Sequence, residues 1–218
     1  MEISKQFLDI NPYSRPGKPN KPEKIVIHYV GNAGSSAQAN RNYFNNLAKT
    51  KATYASSQYI IGLKGEIIQC IPENEIAYHA AHEYTNTHSI GIEVCHPDGS
   101  GKYNDLSYKS LLELCVDICK RYNMDPDKDI IRHYDVPNGK YKQCPYYYVK
   151  NPSAWTKLKA DIKAKFKPVD QRHIDNVNQL VKMGIISEPF KWYDLEDVSV
   201  NNVKALINNV AKFGTIYK

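Results

Sequence analysis

The chain has 218 residues, 42% of them hydrophobic and 24% charged, with a net charge of +6. That length suits one good-sized domain with room for a small second one. No apolar run approaches the ~18 residues that a membrane-spanning helix needs, and the lysines form no basic block, so neither a membrane span nor a nucleic-acid partner is expected.

The cationic balance still attracts polyanions, an anionic cell wall among them. Met1 to Ile10 has no charged start followed by an apolar segment, so no signal peptide is expected and the chain reads as made and folded in the cytoplasm. There the five cysteines, Cys70, Cys95, Cys115, Cys119 and Cys144, are expected as reduced thiols or ligands. Their odd count and irregular spacing argue against a disulfide framework. Seventeen tyrosines are many for this length. Tyrosine suits surfaces that stack on sugars or peptides, and a simple compositional bias explains the count equally well.

Residues 11–24 carry Pro12, Pro16, Pro19 and Pro22 and read as an extended arm, because each proline also pushes its predecessor out of the helical region. Ile25 to Val30 is a continuous apolar run rich in β-branched residues, the pattern of a central strand covered on both faces. His28 sits near its carboxyl end. It is either a core histidine bonded to backbone or a ligand aimed into the crevice where α/β proteins place their sites. Residues 36–49 read as a helix with Ser36 as N-cap and Tyr43, Phe44, Leu47 and Ala48 on one face. Residues 57–61 and 66–70 read as a hairpin turning between Gly62 and Gly65.

Ala77 to His82 falls in a connecting loop. Ser89 to Cys95 is another strand, with Ile90, Ile92 and Val94 on one face and Gly91, Glu93 and Cys95 on the other. Glutamate is depleted in strands, so Glu93 either faces solvent on an edge or points into a site. Residues 107–122 follow helical spacing; Cys115 and Cys119 lie on the buried stripe, as small core residues rather than a metal pair. Ile130 to Arg132 is a short strand delivering His133. Eleven positions later comes Cys144, with Lys142 two residues before it. One more ligand would complete a catalytic zinc site with three protein donors and an open position. Pro152 to Phe166 reads as a last helix with Trp155, Leu158, Ile162 and Phe166 inward.

Lys167-Pro168 marks a boundary. Beyond it, Ile174, Val177, Leu180 and Val181 define a helix ending at Gly184, and Val203, Leu206, Ile207, Val210 and Ala211 a second. The aromatic stretch 185–193 between them is expected to be partly exposed. So small a unit is marginal alone.

The ordered stretches Ile25-Val26-Ile27-His28, Gly65 to Gln69, Ala77-Tyr78-His79-Ala80, Asn86 to Glu93, His133-Tyr134-Asp135 and Lys142-Gln143-Cys144-Pro145 resemble the zinc-dependent N-acetylmuramoyl-L-alanine amidase family. That family includes phage lysozyme-type amidases and peptidoglycan recognition proteins. The resemblance covers roughly residues 20–166. It implies an α/β fold, with a central mixed sheet of five or six strands flanked by helices, and a groove across one edge of the sheet. It implies His28, His133 and Cys144 as zinc ligands, Glu93 as the catalytic carboxylate and Lys142 as the group facing the oxyanion. Asp135 would steady a ligand from behind, and Tyr78, His79 and Asn86 would line the substrate groove. Many relatives carry a histidine, or a tyrosine followed by histidine, where this chain has Ser57-Gln58-Tyr59, which puts a catalytic tyrosine there in doubt.

The resemblance further implies a catalytic domain over 1–167 that cleaves peptidoglycan between N-acetylmuramic acid and L-alanine. The small helical domain over 168–218 reads as a wall-targeting module for anionic polymers, or as a packing or dimerisation element. The absent signal peptide resembles phage or prophage endolysins, which stay in the cytoplasm until a holin-type pore releases them to the wall. Two other readings remain open: a non-catalytic recognition module on the same fold, and a different zinc peptidase acting on the same polymer.

Overall fold

The computed structural model describes residues 1–166 and 171–186, with the single positions 192, 206 and 210. The chain divides into two compact units, Met1–Phe166 and Lys167–Lys218. In chain order the strands of the first unit are β1 (Ile3–Lys5), β2 (Lys24–Tyr29), β3 (Tyr59–Ile61), β4 (Ile67–Gln69), β5 (Ser89–Val94) and β6 (Ile130–Arg132). They form one mixed sheet in the order β1-β4-β3-β5-β2-β6. The β3–β4 hairpin is antiparallel and every other pairing is parallel.

Alternation along the strands divides the core in two. Ile25 and Ile27 of β2 and Ile90, Ile92 and Val94 of β5 face one way. They meet Leu111, Leu114, Cys115 and Ile118 of α3 (Asp105–Tyr122), with Leu158 and Ile162 of the last helix of this unit, Pro152–Lys165. Each of these isoleucines is fully buried, which contributes roughly 1.5–3 kcal/mol apiece. Cys115 and Cys119 are packing residues of this layer. The other face meets α1 (Ala37–Thr50), whose Phe44 and Leu47 pack with Leu8, Ile60, Ile68 and Cys70. The Ser36 side chain caps α1 by accepting from the Ala39 N–H at 3.1 Å. The expected face of α1 is narrower than its sequence pattern, because Tyr43 is exposed.

The proline arm is pinned down. Arg15 holds Glu75 with two hydrogen bonds of 2.7 and 2.8 Å, and Pro19 bridges to Glu75 by backbone. α2 (Glu83–Thr87) is a single turn ahead of β5. Between α3 and β6 lies the short α4 (Pro126–Asp129), and α5 (Tyr146–Lys150) precedes α6, the helix Pro152–Lys165.

In the second unit α7 spans Gln171–Lys182. It is followed by Gly184 at φ +69, a left-handed position that glycine takes without strain. Val177, Ile185 and Ile186 form a small core with Leu180, Val181, Trp192 and Leu206. The first two residues of the stretch expected to be exposed, Ile185 and Ile186, are thus buried, because the turn at Gly184 folds them back on the helix. The rest of that stretch, apart from Trp192, lies outside the described residues, as do the side chain of Ile174 and all but Leu206 and Val210 of the helix expected over 203–211.

Candidate metal centre

His28 and Glu93 occupy paired positions on the adjacent parallel strands β2 and β5. Both point to the face opposite the Ile25–Ile27 layer, near the carboxyl ends of the strands. His133 follows directly on β6, the other neighbour of β2, and opens a 3-10 turn over His133–Asp135. The loop from there to Cys144 folds back so that the Tyr134 N–H donates to the Cys144 carbonyl at 2.8 Å. One hydrogen bond thus couples the two donors that the loop supplies. The site opens on the face of the sheet over two interior strands. The strands that carry His28 and Glu93 are both flanked by others, and His133 joins them from the end of the edge strand β6.

One donor atom each from His28, His133 and Cys144 lies within 4.8 Å of the others, and all three residues are buried. His28 Nδ1 is 3.7 Å from Cys144 Sγ. A tetrahedral zinc site with bonds of about 2.0–2.3 Å needs donors about 3.3–3.8 Å apart, so this pair fits.

The hydrogen bonds fix which nitrogen each ring presents. The Thr85 carbonyl can only accept, so the Ser89 hydroxyl donates to it. Ser89 Oγ then accepts from His79 Nε2 at 3.2 Å. A neutral His79 is left with a lone pair on Nδ1, which accepts from His28 Nε2 at 3.1 Å. The lone pair of His28 is therefore on Nδ1, the atom facing Cys144 and 4.0 Å from Glu93 Oε1. His133 bonds to the Ala80 backbone, and its Nε2 is buried with no hydrogen-bond partner among the described residues. Two rings thus offer bare nitrogens to one point, the arrangement by which ligating histidines are oriented from behind.

The electrostatics agree with neutral rings. Burial, then the neighbouring His79 and His133, push His28 well below the usual imidazole range. Burial, with His133 nearby, lowers His79 to about 3, and burial with the Lys142 charge lowers His133 to about 4. Burial raises the Cys144 thiol far above its ordinary value, with Glu93 adding to it. A bound cation reverses that cost by favouring the thiolate. Burial raises Glu93 to about 8, and its Oε2 is buried without a hydrogen-bond partner among the described residues. A carboxylate placed so beside a donor set, with its proton affinity near neutrality, suits proton transfer.

These groups line a cavity of about 560 Å³ together with Tyr29, Tyr54, Tyr78, His79, Asn86 and Lys142. A family model described as N-acetylmuramoyl-L-alanine amidase matches residues 18–147. The chain belongs to that family.

Among its relatives, the amidase CwlL of Bacillus licheniformis is 35% identical over 173 residues, covering 74% of this chain and 47% of that protein. BlyA of Bacillus subtilis (strain 168) is 32% identical over 182 residues, covering 75% and 47%. The chain spans about half the length of the curated relatives it matches. The catalytic domain of XlyA superposes with a TM-score of 0.61 at 25% identity, covering 74% of this chain and 99% of that one. The PlyG catalytic domain, at 22% identity and a TM-score of 0.62, shares the fold.

Within this amidase fold the expected site residues fall as follows. His28, His133, Cys144, Glu93 and Lys142 converge on the cavity, and Tyr78, His79 and Asn86 line it. His79 also buttresses His28, as described. Asn86 Oδ1 accepts from the His79 and Ala80 N–H groups at 3.2 and 2.9 Å, which holds the turn that His133 leans on.

Asp135 is a correction: its carboxylate is bound to Arg132, through the backbone N–H and both the Nε and Nη2 atoms, and not to a histidine. It shapes the turn that follows His133, and the Ala80 backbone holds the ring instead. Tyr59 lies in the opposite core layer with its hydroxyl donating to Glu73 at 2.7 Å, so no tyrosine of that strand reaches the centre. Sequence reasoning missed Ser89 and Gly91. A Cβ at Gly91 would lie 2.6 Å from His79 Cγ, so the missing side chain is the room the ring occupies.

Proposed function

We propose that the chain is a zinc-dependent N-acetylmuramoyl-L-alanine amidase that hydrolyses the amide between the lactyl group of N-acetylmuramic acid and L-alanine of peptidoglycan. The observation that carries this is the convergence of two bare imidazole nitrogens and a thiol beside an oxygen of Glu93 that has no hydrogen-bond partner among the described residues. Family membership supports the choice of bond.

His28, His133 and Cys144 would hold the metal. Zinc bound there supplies a Lewis acid for the scissile carbonyl and acidifies a water toward neutral pH. The chain's own groups do the rest. Glu93 takes the proton of the attacking water at Oε2 and returns it to the leaving alanine nitrogen. The Lys142 ammonium stands at the cavity wall, where it stabilises negative charge growing on the carbonyl oxygen. The chain from His79 through Ser89 to Thr85 keeps His28 in one tautomer throughout.

The second unit is proposed to attach the enzyme to the wall. Charge does not supply that attachment: residues 168–218 hold six Lys and Arg against six Asp and Glu, so the net +6 lies on residues 1–167. The aromatic residues Phe190, Trp192 and Tyr193 are the better candidates for it. Release to the wall through a holin-type pore completes the endolysin reading. The presence of Cys144, Glu93 and Lys142 in the cavity lining supports the enzyme over the non-catalytic module.

The test is digestion of purified peptidoglycan with and without a chelator, followed by labelling of new amino termini. Chelator-sensitive release of N-terminal alanine without new reducing sugar ends is expected. Cleavage that survives chelation, or new termini other than alanine, overturns the reading.

A further inference from the structure

The cavity lining differs in character along its length. Its charges, Glu93 and Lys142 among the described residues, stand beside the metal donors. The stretch Thr53-Tyr54-Ala55-Ser56, with Tyr78, is uncharged and rich in hydroxyls.

Tyr54 is the most exposed ring of that stretch, at 61%. It is nevertheless held on two sides. It stacks on Tyr13 with centroids 5.1 Å apart and planes at 26°, and it meets Tyr78 edge-on at 5.6 Å and 84°. The backbone around it is tied to the same two residues. The Ala55 N–H donates to the Tyr13 carbonyl at 3.2 Å, and the Ser56 N–H donates to the Tyr78 carbonyl at 3.0 Å. The Tyr78 N–H in turn donates to Ser56 Oγ at 2.9 Å.

A ring so exposed gains little from burial, so hydrophobic packing alone does not account for its fixation. A fixed aromatic face has little rotamer freedom left to lose, which makes it an efficient contact for a flat ligand. A pyranose ring is such a ligand. It presents C–H groups on one face and hydroxyls around its rim, which matches an aromatic face bordered by the exposed Thr53. A stem peptide with free carboxylates would instead call for cations, and this stretch has none.

We propose that Tyr54 is the platform on which a sugar ring of the glycan substrate stacks, making it a specificity-determining residue. The proposal rests on the amidase reading above.

Tyr54→Ala and Tyr54→Trp are compared with the unaltered enzyme on two substrates: a muramyl peptide, and the same peptide capped by a lactyl group without sugar. Tyr54→Ala is expected to raise KM for the muramyl peptide about five- to tenfold with kcat nearly unchanged. It should leave the sugar-free substrate unaffected, and Trp should restore the loss. Equal loss on both substrates, or no loss on either, overturns the proposal. Calorimetric titration with peptide-free glycan strands gives a readout independent of hydrolysis. Binding by the unaltered protein that weakens about five- to tenfold in Tyr54→Ala supports the platform. Equal binding by both, or none by either, overturns it. Should the enzyme release no alanine, the amidase reading falls and this titration still decides the platform.

Discussion

Adding one methyl group at Gly91 should disturb the metal centre without touching any residue that binds metal. The Cβ of Gly91→Ala would lie 2.6, 2.7 and 3.0 Å from Cγ, Cδ2 and Nδ1 of His79, and those are the three nearest atoms. The ring has no free direction in which to retreat, since His28 holds Nδ1 and Ser89 holds Nε2. Overpacking of this kind costs about 1–3 kcal/mol. A displaced ring also leaves buried hydrogen-bonding groups unpaired at about 1 kcal/mol or more each. A total near 3 kcal/mol corresponds to a drop of about 6–12 °C in Tm for a unit of this size. Zinc affinity should fall about 10–100-fold, the usual effect of losing the partner behind a ligating histidine.

The assay is thermal unfolding of the metal-free protein beside zinc titration against a competing chelator. Its decisive arm is the double variant. In a His79→Ala background the three atoms nearest to the methyl group are gone, so Gly91→Ala should add little. If it costs as much there as in the unaltered protein, or if Gly91→Ala alone keeps full Tm and zinc affinity, the role assigned to His79 is wrong.

Glu93→Gln should retain one zinc per chain by metal analysis while hydrolysis of cell walls, followed by turbidity, falls about 10²–10⁴-fold; full activity would remove the carboxylate from proton transfer. Cys144→Ser should lose both metal and activity, and a variant that still holds stoichiometric zinc would take the thiol out of the donor set.

The stability of the metal-free protein should peak near pH 6.5. Below that, the unfolded chain takes up protons that the folded His28, His79 and His133 refuse, so stability falls as pH falls, by up to about 5 kcal/mol for His79 alone. Glu93 acts in the opposite sense: it ionises near pH 4.5 in the unfolded chain but stays protonated in the fold up to about pH 8, so its contribution is lost across that window, and above pH 6.5, where the histidines no longer outweigh it, stability falls as pH rises. Denaturant titrations across pH 4.5–8.5 check this, and Glu93→Gln should abolish the alkaline decline; a flat profile would contradict the burial of these groups.

Strong local patterns were legible in the sequence. The apolar run of β2 and the alternation of β5 gave both strands their faces, and Ser36 marked the start of α1. What stayed hidden depends on pairing between distant segments. β1 is three residues long with one apolar side chain, and only its register with Ile67 to Gln69 makes it a strand. The apposition of His28 and Glu93 follows from the β2–β5 register, which neither segment encodes alone. His79 reads as a loop histidine until the ring is seen lying across Gly91. Asp135 stands two residues from His133 in sequence, yet its carboxylate lies 2.7 Å from the Arg132 guanidinium, which carries the charge that attracts it. Tyr43 fits the helical spacing of α1 but lies past the edge of the sheet-facing stripe.

The parallel pairing of β2 also bears on the order in which the fold assembles. Its two neighbours end at Val94 and Arg132. At ribosomal rates of about 5–20 residues per second, roughly 5–20 s separate the synthesis of β2 from that of its last partner. Until β5 is made the segment Ile25-Val26-Ile27 has neither partner, and until β6 is made one of its edges stays open; it is the kind of short apolar run that pairs with any strand edge it meets. The four prolines just before it cannot extend such a strand, and Lys24 places a charge at its mouth. The arm that later crosses to Glu75 thus also limits how far this strand can lengthen towards the N-terminus before the rest of the sheet arrives.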